Sequence, residues 1–534
     1  MIGVFPAAEH RSRTNLFAAL ETSFSVRFQG REAGSWDGLD AALLFGLEHW
    51  PRLPPMPCLV LPPPEARREA KFARPRVVEL ASAEVLDRPL RGLRLADLQV
   101  TGPAVPALQT GDVPLATSEE GPVWVQRRGA AGRWVVSAAP DELAPDEGLR
   151  DQLRPGRFLG LLALVHLLRH LHGEEVTRAG HLRACFVIDD PNLHGPRYGH
   201  IRYLELLQHA RRHGYHIAMA SIPLDYWLVH RRTAELFRTG SRHLSLAVHG
   251  NNHERSELLR LANEAAALAS AGQALRRAAA LETQSSIPVS RVMCAPHEVC
   301  SPAAVRALFR VGFEGLAFDP RRGRERASRT GPLGGWEPAQ LLDGGLPVLP
   351  RYSLSAGDEL AFHAYLGLPL ILYGHQQDLA GGLDVLADAA ARIGALGDVQ
   401  WLSLGEIART NRTVRFDGTR VTVRLYTRHT TVAVPEKARE LLVELPPART
   451  NADVLVRCGL QTAPVRLGPS GRARVAFAAP FQRASELVVT APDAVSPADV
   501  PAPRTRLQPV ARRVLTEARD RLAPIGLPPS PEQG

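Results

Sequence analysis

Short apolar runs punctuate the middle of this chain, each followed by a stretch long enough for a helix. The runs are 184–188, 217–220, 244–248, 292–294, 315–318, 370–373 and 402–404. Runs of this length without polar alternation fit strands covered on both faces. Segments 201–212 and 257–281 read as helices between them. Such alternation predicts a parallel β/α architecture, and seven runs suit a barrel of seven or eight strands. Polar clusters stand at or just past the C-terminal ends of four runs: Asp189-Asp190, His249 to His253, His297-Glu298 and His375. That is the end where β/α barrels assemble their active sites.

The pattern differs on either side. Residues 1–175 read as a separate N-terminal α/β domain, with strands at 2–5, 39–44 and 58–61, a helix at 14–21 and a buried helix at 158–168. After a barrel of 180–412, the period drops to two: Val421, Val423 and Leu425 alternate with polar residues, and Asp417-Gly418 marks a hairpin turn. With further strands at 440–445, 454–458, 473–477 and 487–490, residues 413–492 predict a small antiparallel β-sandwich. The Pro-, Ala- and Arg-rich stretch 493–534 reads as a mobile tail with one short helix at 510–522. The expected fold class is therefore α/β, a central barrel between an α/β domain and a sandwich.

Composition narrows the function classes. The 534 residues are 45% hydrophobic and 22% charged, as expected for several folded domains. The net charge of +9 comes almost wholly from arginine, Lys71 and Lys437 being the only lysines. These arginines are dispersed and follow no helix-turn-helix or zinc-finger spacing, so nucleic acid is not an expected partner. Five scattered cysteines, an odd number, suggest a reducing compartment. The N-terminus lacks a basic region leading into a long apolar core, and 158–168 falls short of the ~20 residues that span a bilayer. A cytoplasmic protein with no transmembrane segment is the expectation. Pro57-Cys58-Leu59 lacks the elbow of a nucleophile, which argues against glutaminase chemistry.

The candidate chemistry lies in two motifs. Asp189-Asp190 ends the first apolar run, and His249-Gly250-Asn251-Asn252-His253 ends the third. Hydrolysis assisted by a divalent metal calls for three protein ligands and an open position. Asp190, His249 and His253 supply one oxygen and two imidazole nitrogens. Asp189 is then free to act as a base. Neighbouring strand residues face opposite ways, so both aspartates serve one site only if the strand ends between them; Pro191 supports such a break.

In this order the motifs resemble those of the polysaccharide deacetylase family, the NodB-homology or carbohydrate esterase type. The resemblance spans roughly 180–410, and the WbmS-like group of polysaccharide-biosynthesis proteins is the nearest subgroup. It implies that Asp189 is the general base, that Asp190, His249 and His253 bind the metal, zinc being the first choice, and that His375, in Leu372-Tyr373-Gly374-His375, is the general acid. The segment from Arg291 to Glu298 resembles the family's groove wall. It offers Arg291, His297 and Glu298 for substrate contact, with Arg291 also a candidate partner of Asp189. Three departures stand out: Val187-Ile188-Asp189-Asp190-Pro191 replaces Thr-Phe-Asp-Asp-Gly, Gly250 replaces a Ser or Thr, and Ala295-Pro296-His297-Glu298 replaces an Arg-Pro-Tyr type of motif. These alter the groove more than the metal site.

The expected function is removal of an acyl group, N-acetyl first, from a sugar in polysaccharide or glycolipid biosynthesis. The expected partners are a carbohydrate substrate and other components of polysaccharide biosynthesis. Two alternatives stay open: a glycoside hydrolase using Asp189 and Glu298 as an acid/base pair, and an idle barrel that binds glycan or acts as a scaffold.

Overall fold

The computed structural model describes residues 1–24, 26–32, 36–46, 54–66, 74–105, 107–128, 132–145, 147–172, 181–261, 263–319, 339–342, 345–448, 451–468, 471–503 and 507–522. The chain divides into two compact units. One takes Met1–Thr177, Arg329–Glu337 and Gly357–Gly367; the other takes Arg178–Ser328, Pro338–Ala356 and Leu368–Gly534.

The first unit is built on a nine-stranded sheet. Strands β1 (Ile2–Phe5), β2 (Phe28–Gly30), β3 (Ala41–Phe45) and β4 (Cys58–Leu61) are parallel, in the order β2-β1-β3-β4. Strands β5 (Arg76–Leu80), β6 (Arg94–Asp97), β7 (Val113–Ser118), β8 (Gly121–Arg127) and β9 (Arg133–Val136) extend it in the order β9-β8-β7-β5-β6. Within that extension the pairing is antiparallel. The expected buried helix is present as Leu159–His172, its start held by the buried Asp97 carboxylate, which accepts the Phe158 and Leu159 N–H groups at 2.9 Å each. Cys58 is fully buried and burial pushes its thiol up to about 11, so no nucleophile is available there.

In the second unit, seven parallel strands close a barrel: β10 (Leu182–Asp189), β13 (Ile217–Ser221), β14 (Leu244–His249), β15 (Val289–Cys294), β16 (Gly315–Phe318), β18 (Pro347–Ser353) and β19 (Leu370–Gly374). The short β11 (Arg197–Tyr198) and β12 (Ile201–Arg202) form a hairpin, and β17 (Gln340–Leu341) pairs antiparallel with β18. Strand β20 (Val399–Trp401) pairs with the start of β10, at Leu182 to Ala184, while the end of β10, from Phe186, pairs with β13. An eighth strand is thus wedged in at one end only.

Two elements depart from the expected series. Strand β18 is absent from it, because Pro347 and Pro350 break the pattern of a buried run. The run at 402–404 is not a strand: Ser403 caps the helix Leu404–Thr410, which Leu404 opens. The stretch 257–281 is also two helices, Glu257–Arg260 and Glu264–Ser285, the second capped by Asn263.

Alternation decides what fills the barrel. Cys185, Val187, Ala218, Ala220, Ala247, Val292, Cys294, Ala317, Leu349, Ile371 and Tyr373 form one buried cluster. Small side chains suit the narrow interior of a seven-stranded barrel. Leu404 and Ile407 join this cluster, and a Cβ on Gly405 would lie 3.2 Å from Ser290, near the start of β15. That helix closes the N-terminal end of the barrel. Carrying the inward rows one step toward the other end gives Asp189 after Val187, His249 after Ala247 and Arg351 after Leu349. One layer of charged groups therefore caps the apolar filling.

The sandwich follows, as two four-stranded sheets. One orders β21 (Arg412–Asp417), β22 (Arg420–Leu425), β24 (Glu440–Leu445) and β27 (Ala473–Ala478); the other orders β23 (His429–Ala433), β28 (Ala484–Thr490), β25 (Ala452–Cys458) and β26 (Gln461–Leu467). The pairing is antiparallel as expected, except that β22 and β24 run parallel. The Asp417-Gly418 hairpin is present, with Gly418 at φ 58°, a left-handed conformation that glycine adopts without strain. Asn411, in the Asn411-Arg412-Thr413 sequence, is fully buried and closed to glycosylation in the folded chain. In the stretch expected as a mobile tail lies the helix Leu507–Leu522, with Arg513 only 7% exposed.

Candidate metal centre and active site

Asp189 is the last residue of β10, and Asp190 turns at once into the left-handed region at φ 78°. The strand ends between the two carboxylates, so both serve the same end of the barrel. His249 closes β14, and its Nδ1 lies 3.0 Å from the Cys294 carbonyl. A proton on Nδ1 donates there, which leaves the Nε2 lone pair facing Asp190. Asp190 Oδ1 lies 3.5 Å from His249 Nε2 and 3.2 Å from His253 Nε2.

These three groups fit a cation. Their ligand atoms all lie within 4.8 Å of one another. Asp190 Oδ1 is buried and accepts no hydrogen bond, although two imidazole nitrogens face it. A buried carboxylate oxygen without a donor is costly unless a proton or cation shares it. Burial pushes the Asp190 carboxyl up, but His253 and His249 outweigh it and hold the group well below the usual carboxylate range. Burial takes His253 down to about 4, against the pull of Asp190, so the imidazole is neutral and its lone pair available at pH 7. Two imidazoles and one carboxylate suit zinc, and also nickel, cobalt or iron.

The ligand loop is shaped by a residue the motif does not contain. Glu257 lies buried beneath 250–253 and accepts the N–H groups of Asn251, Asn252 and His253 at 3.0, 3.0 and 2.9 Å. Gly250 sits at φ 62°, and a Cβ there would come within 2.6 Å of Glu257 Oε2 and 2.8 Å of Pro296 Cγ. A serine or threonine at this position would have no room. Arg277 ties the loop from outside, donating to the Asn251 and Asn252 side-chain oxygens at 2.6 and 2.8 Å. Glu257→Ala leaves three amide donors without their acceptor and is expected to cost ~3 kcal/mol. Urea unfolding checks it, and an unchanged midpoint would show the loop holding its shape without the carboxylate.

Asp189 is gripped by Arg351, not Arg291. Arg351 is fully buried, and its Nη1 and Nη2 donate to Asp189 Oδ1 and Oδ2 at 2.9 and 2.8 Å. The same guanidinium bonds Glu298 and lies 4.2 Å from the Tyr373 ring centroid. Burial raises the Asp189 carboxyl, but Arg351 and then His249 outweigh it, so the group stays ionised below the usual range. Glu298 moves the other way: its burial prevails over Arg351 and raises its pKa. Arg291 instead bonds Glu282 at 2.5 Å and the Val289 carbonyl, away from the aspartates. Glu298 is 4% exposed and accepts the Asp319 N–H as well, so it steadies Arg351 and does not face the groove.

The other two expected residues stay open to solvent. His297 takes a left-handed φ of 56°, and its ring centroid lies 5.9 Å from that of His253. Partial burial, and then the neighbouring His249, lower its pKa. His375 directly follows β19 with its N–H held by Asp378 at 2.7 Å.

Three solved structures share features of this chain. A protein from Mycobacterium smegmatis described as belonging to the polysaccharide deacetylases is 18% identical, with a TM-score of 0.31 over 44% of this chain and 95% of its own. A structure described as T48 deacetylase with substrate is 9% identical, with a TM-score of 0.26 over 43% of this chain and 92% of its own. The Xyl-CE4 domain of a multidomain xylanase from the hindgut metagenome of Trinervitermes trinervoides is 11% identical, with a TM-score of 0.26 over 42% of this chain and 89% of its own. No family model matches the chain, and no curated protein does. No described helix is long and apolar enough to cross a membrane.

Proposed function

We propose that this chain is a metal-dependent hydrolase that removes an acyl group, N-acetyl first, from a sugar. The observation that carries this reading is the Asp190 oxygen without a donor, set between two imidazoles and beside an ionised Asp189. Asp190, His249 and His253 would hold a divalent ion, most simply zinc. When bound, such an ion polarises an acyl carbonyl and acidifies water. Asp189 would accept a proton from the attacking water, its second role after anchoring Arg351. Arg351 keeps Asp189 charged and fixes the plane of its carboxylate. His375, exposed on the same rim, gives a proton to the departing amine. His297 stands beside His253 and contacts the bound sugar. The substrate in this reading is a precursor of a surface polysaccharide or glycolipid, with other biosynthetic components as partners, as the resemblance of the motifs implies.

The glycosidase alternative is disfavoured. Asp189 and Glu298 are both buried and share one guanidinium, whereas a glycosidase pair flanks a sugar across an open cleft.

Elemental analysis of wild type and His253→Ala tests the centre, together with acetate release from N-acetylated chito-oligosaccharides. Wild type is expected to hold about one equivalent of metal, a single ion per catalytic centre of this kind. The variant should lose the metal, and chelation should stop acetate release reversibly. A metal-repleted wild type that holds none would end this reading. Bound metal with no turnover on any acylated sugar would favour the idle barrel.

A further inference from the structure

The helix Leu507–Leu522 reaches back to the candidate centre from more than 250 residues along the chain. Two consecutive arginines make the contact. Arg512 Nη2 donates to the His253 carbonyl at 2.7 Å, and Arg513 Nη2 donates to the Asp190 carbonyl at 2.8 Å. Arg513 is anchored in turn, with Nε 2.7 Å from the buried Asp225 carboxylate. One turn further on, Glu517 lies 3.2 Å from His194 Nδ1, and His194 Nε2 lies 2.8 Å from the Asp225 carbonyl. The helix is thus latched onto the loops that follow β10, β13 and β14.

The two carbonyls it holds are unusual ones. Asp190 at φ 78° and His253 at φ 54° are both non-glycine residues in the left-handed region. A side chain with a Cβ adopts this conformation only against steric crowding. It persists only where surrounding contacts over-determine it. In both ligands the peptide carbonyl leaving the strained residue ends on an arginine of the same helix. The side chains of Asp190 and His253 point toward each other only while those backbone conformations last.

We propose that the C-terminal helix is a clasp for the metal ligands: Arg512 and Arg513 hold the strained backbone of His253 and Asp190, so helix docking and divalent-cation binding favour one another. This rests on the metal centre proposed above and adds the residues that position its ligands. Outer partners of metal ligands are commonly worth 10–100-fold in affinity. Coupling is reciprocal, so bound ion also tightens the helix.

Zinc affinity, measured on the intact 534-residue chain by competition with a chromophoric chelator, tests the clasp. Arg513→Gln and a chain ending at Pro503 are each expected to bind zinc about 10–100-fold more weakly than wild type. Arg513→Lys should recover part of the loss. The cobalt-substituted variants should show an altered visible spectrum, which a purely structural role would not produce. In wild type, zinc should slow amide exchange across 507–522. Arg512→Ala, at an exposed position, covers the case in which Arg513→Gln fails to fold, and is expected to weaken zinc binding in the same direction. Wild-type zinc affinity and an unchanged cobalt spectrum in these variants would overturn the clasp while leaving the metal centre standing. A wild type that binds neither zinc nor cobalt would overturn both.

Discussion

Arg351→Met is expected to lower the stability of the barrel unit by about 3–5 kcal/mol and to abolish hydrolysis. The guanidinium is the shared partner of two carboxylates, Asp189 and Glu298, and all three side chains are buried. Removing one member of a buried charge cluster leaves the remainder uncompensated, which costs far more than the cluster itself contributes. Methionine keeps much of the volume over Tyr373, so the loss reports charge and not a cavity. The triple variant Arg351→Met with Asp189→Asn and Glu298→Gln removes the orphaned charges and should recover part of the stability but none of the activity.

The pH dependence has a definite sign. In wild type the folded-state pKa of Asp189 is lowered, so its contribution to stability is complete above the unfolded carboxylate value near ~3.9 and fades as pH falls through the folded value. Without Arg351, burial dominates and raises the Asp189 pKa instead. The deficit of the single variant should therefore be largest at neutral pH and narrow in acid. Urea midpoints at several pH values decide this, and a deficit that stays constant from neutral to acidic pH would contradict the charge argument.

Asp189→Asn is expected to reduce acetate release by about 10²–10⁴-fold while metal stays bound. The candidate ligands Asp190, His249 and His253 are untouched, and Arg351 keeps Glu298 as its counter-ion, so the fold has no new orphaned charge. What disappears is the carboxylate proposed to take a proton beside the candidate metal site. Matched metal content with lost turnover separates the base from the ligands. If the variant retained more than a tenth of the wild-type rate, the base would have to be sought elsewhere, with His297 first in line because its ring lies beside His253.

Much of this organisation is written in local patterns. Buried parallel strands need unbroken apolar runs, so six of the seven barrel strands were legible from short sequences such as Cys185 to Ile188 and Leu370 to Tyr373. The two motifs of the candidate centre stood out in the sequence because consecutive or closely spaced polar residues at strand ends have few other reasons to cluster. Arg351 was not legible. Its strand carries Pro347 and Pro350, which read as a break, and a lone arginine among 64 basic residues looks like surface. Once β18 is in place, alternation from Leu349 turns Arg351 inward toward Asp189, and Arg291 is left to pair with Glu282. Glu257 was hidden for a related reason: it looks like an ordinary first-turn acid of a short helix, and only the fold of 250–253 directs three N–H groups at it.

The sequence by itself determined the barrel, the sandwich and the four groups Asp189, Asp190, His249 and His253, because periodicity and close spacing are local properties of the chain. Only the tertiary structure decided which arginine holds Asp189, that Glu298 is a buried counter-ion and not a groove residue, and that a stretch read as tail returns to Asp190 and His253. Those outcomes depend on charges finding partners far along the chain. Burial makes such pairing obligatory, but spacing along the sequence does not encode which partner is found.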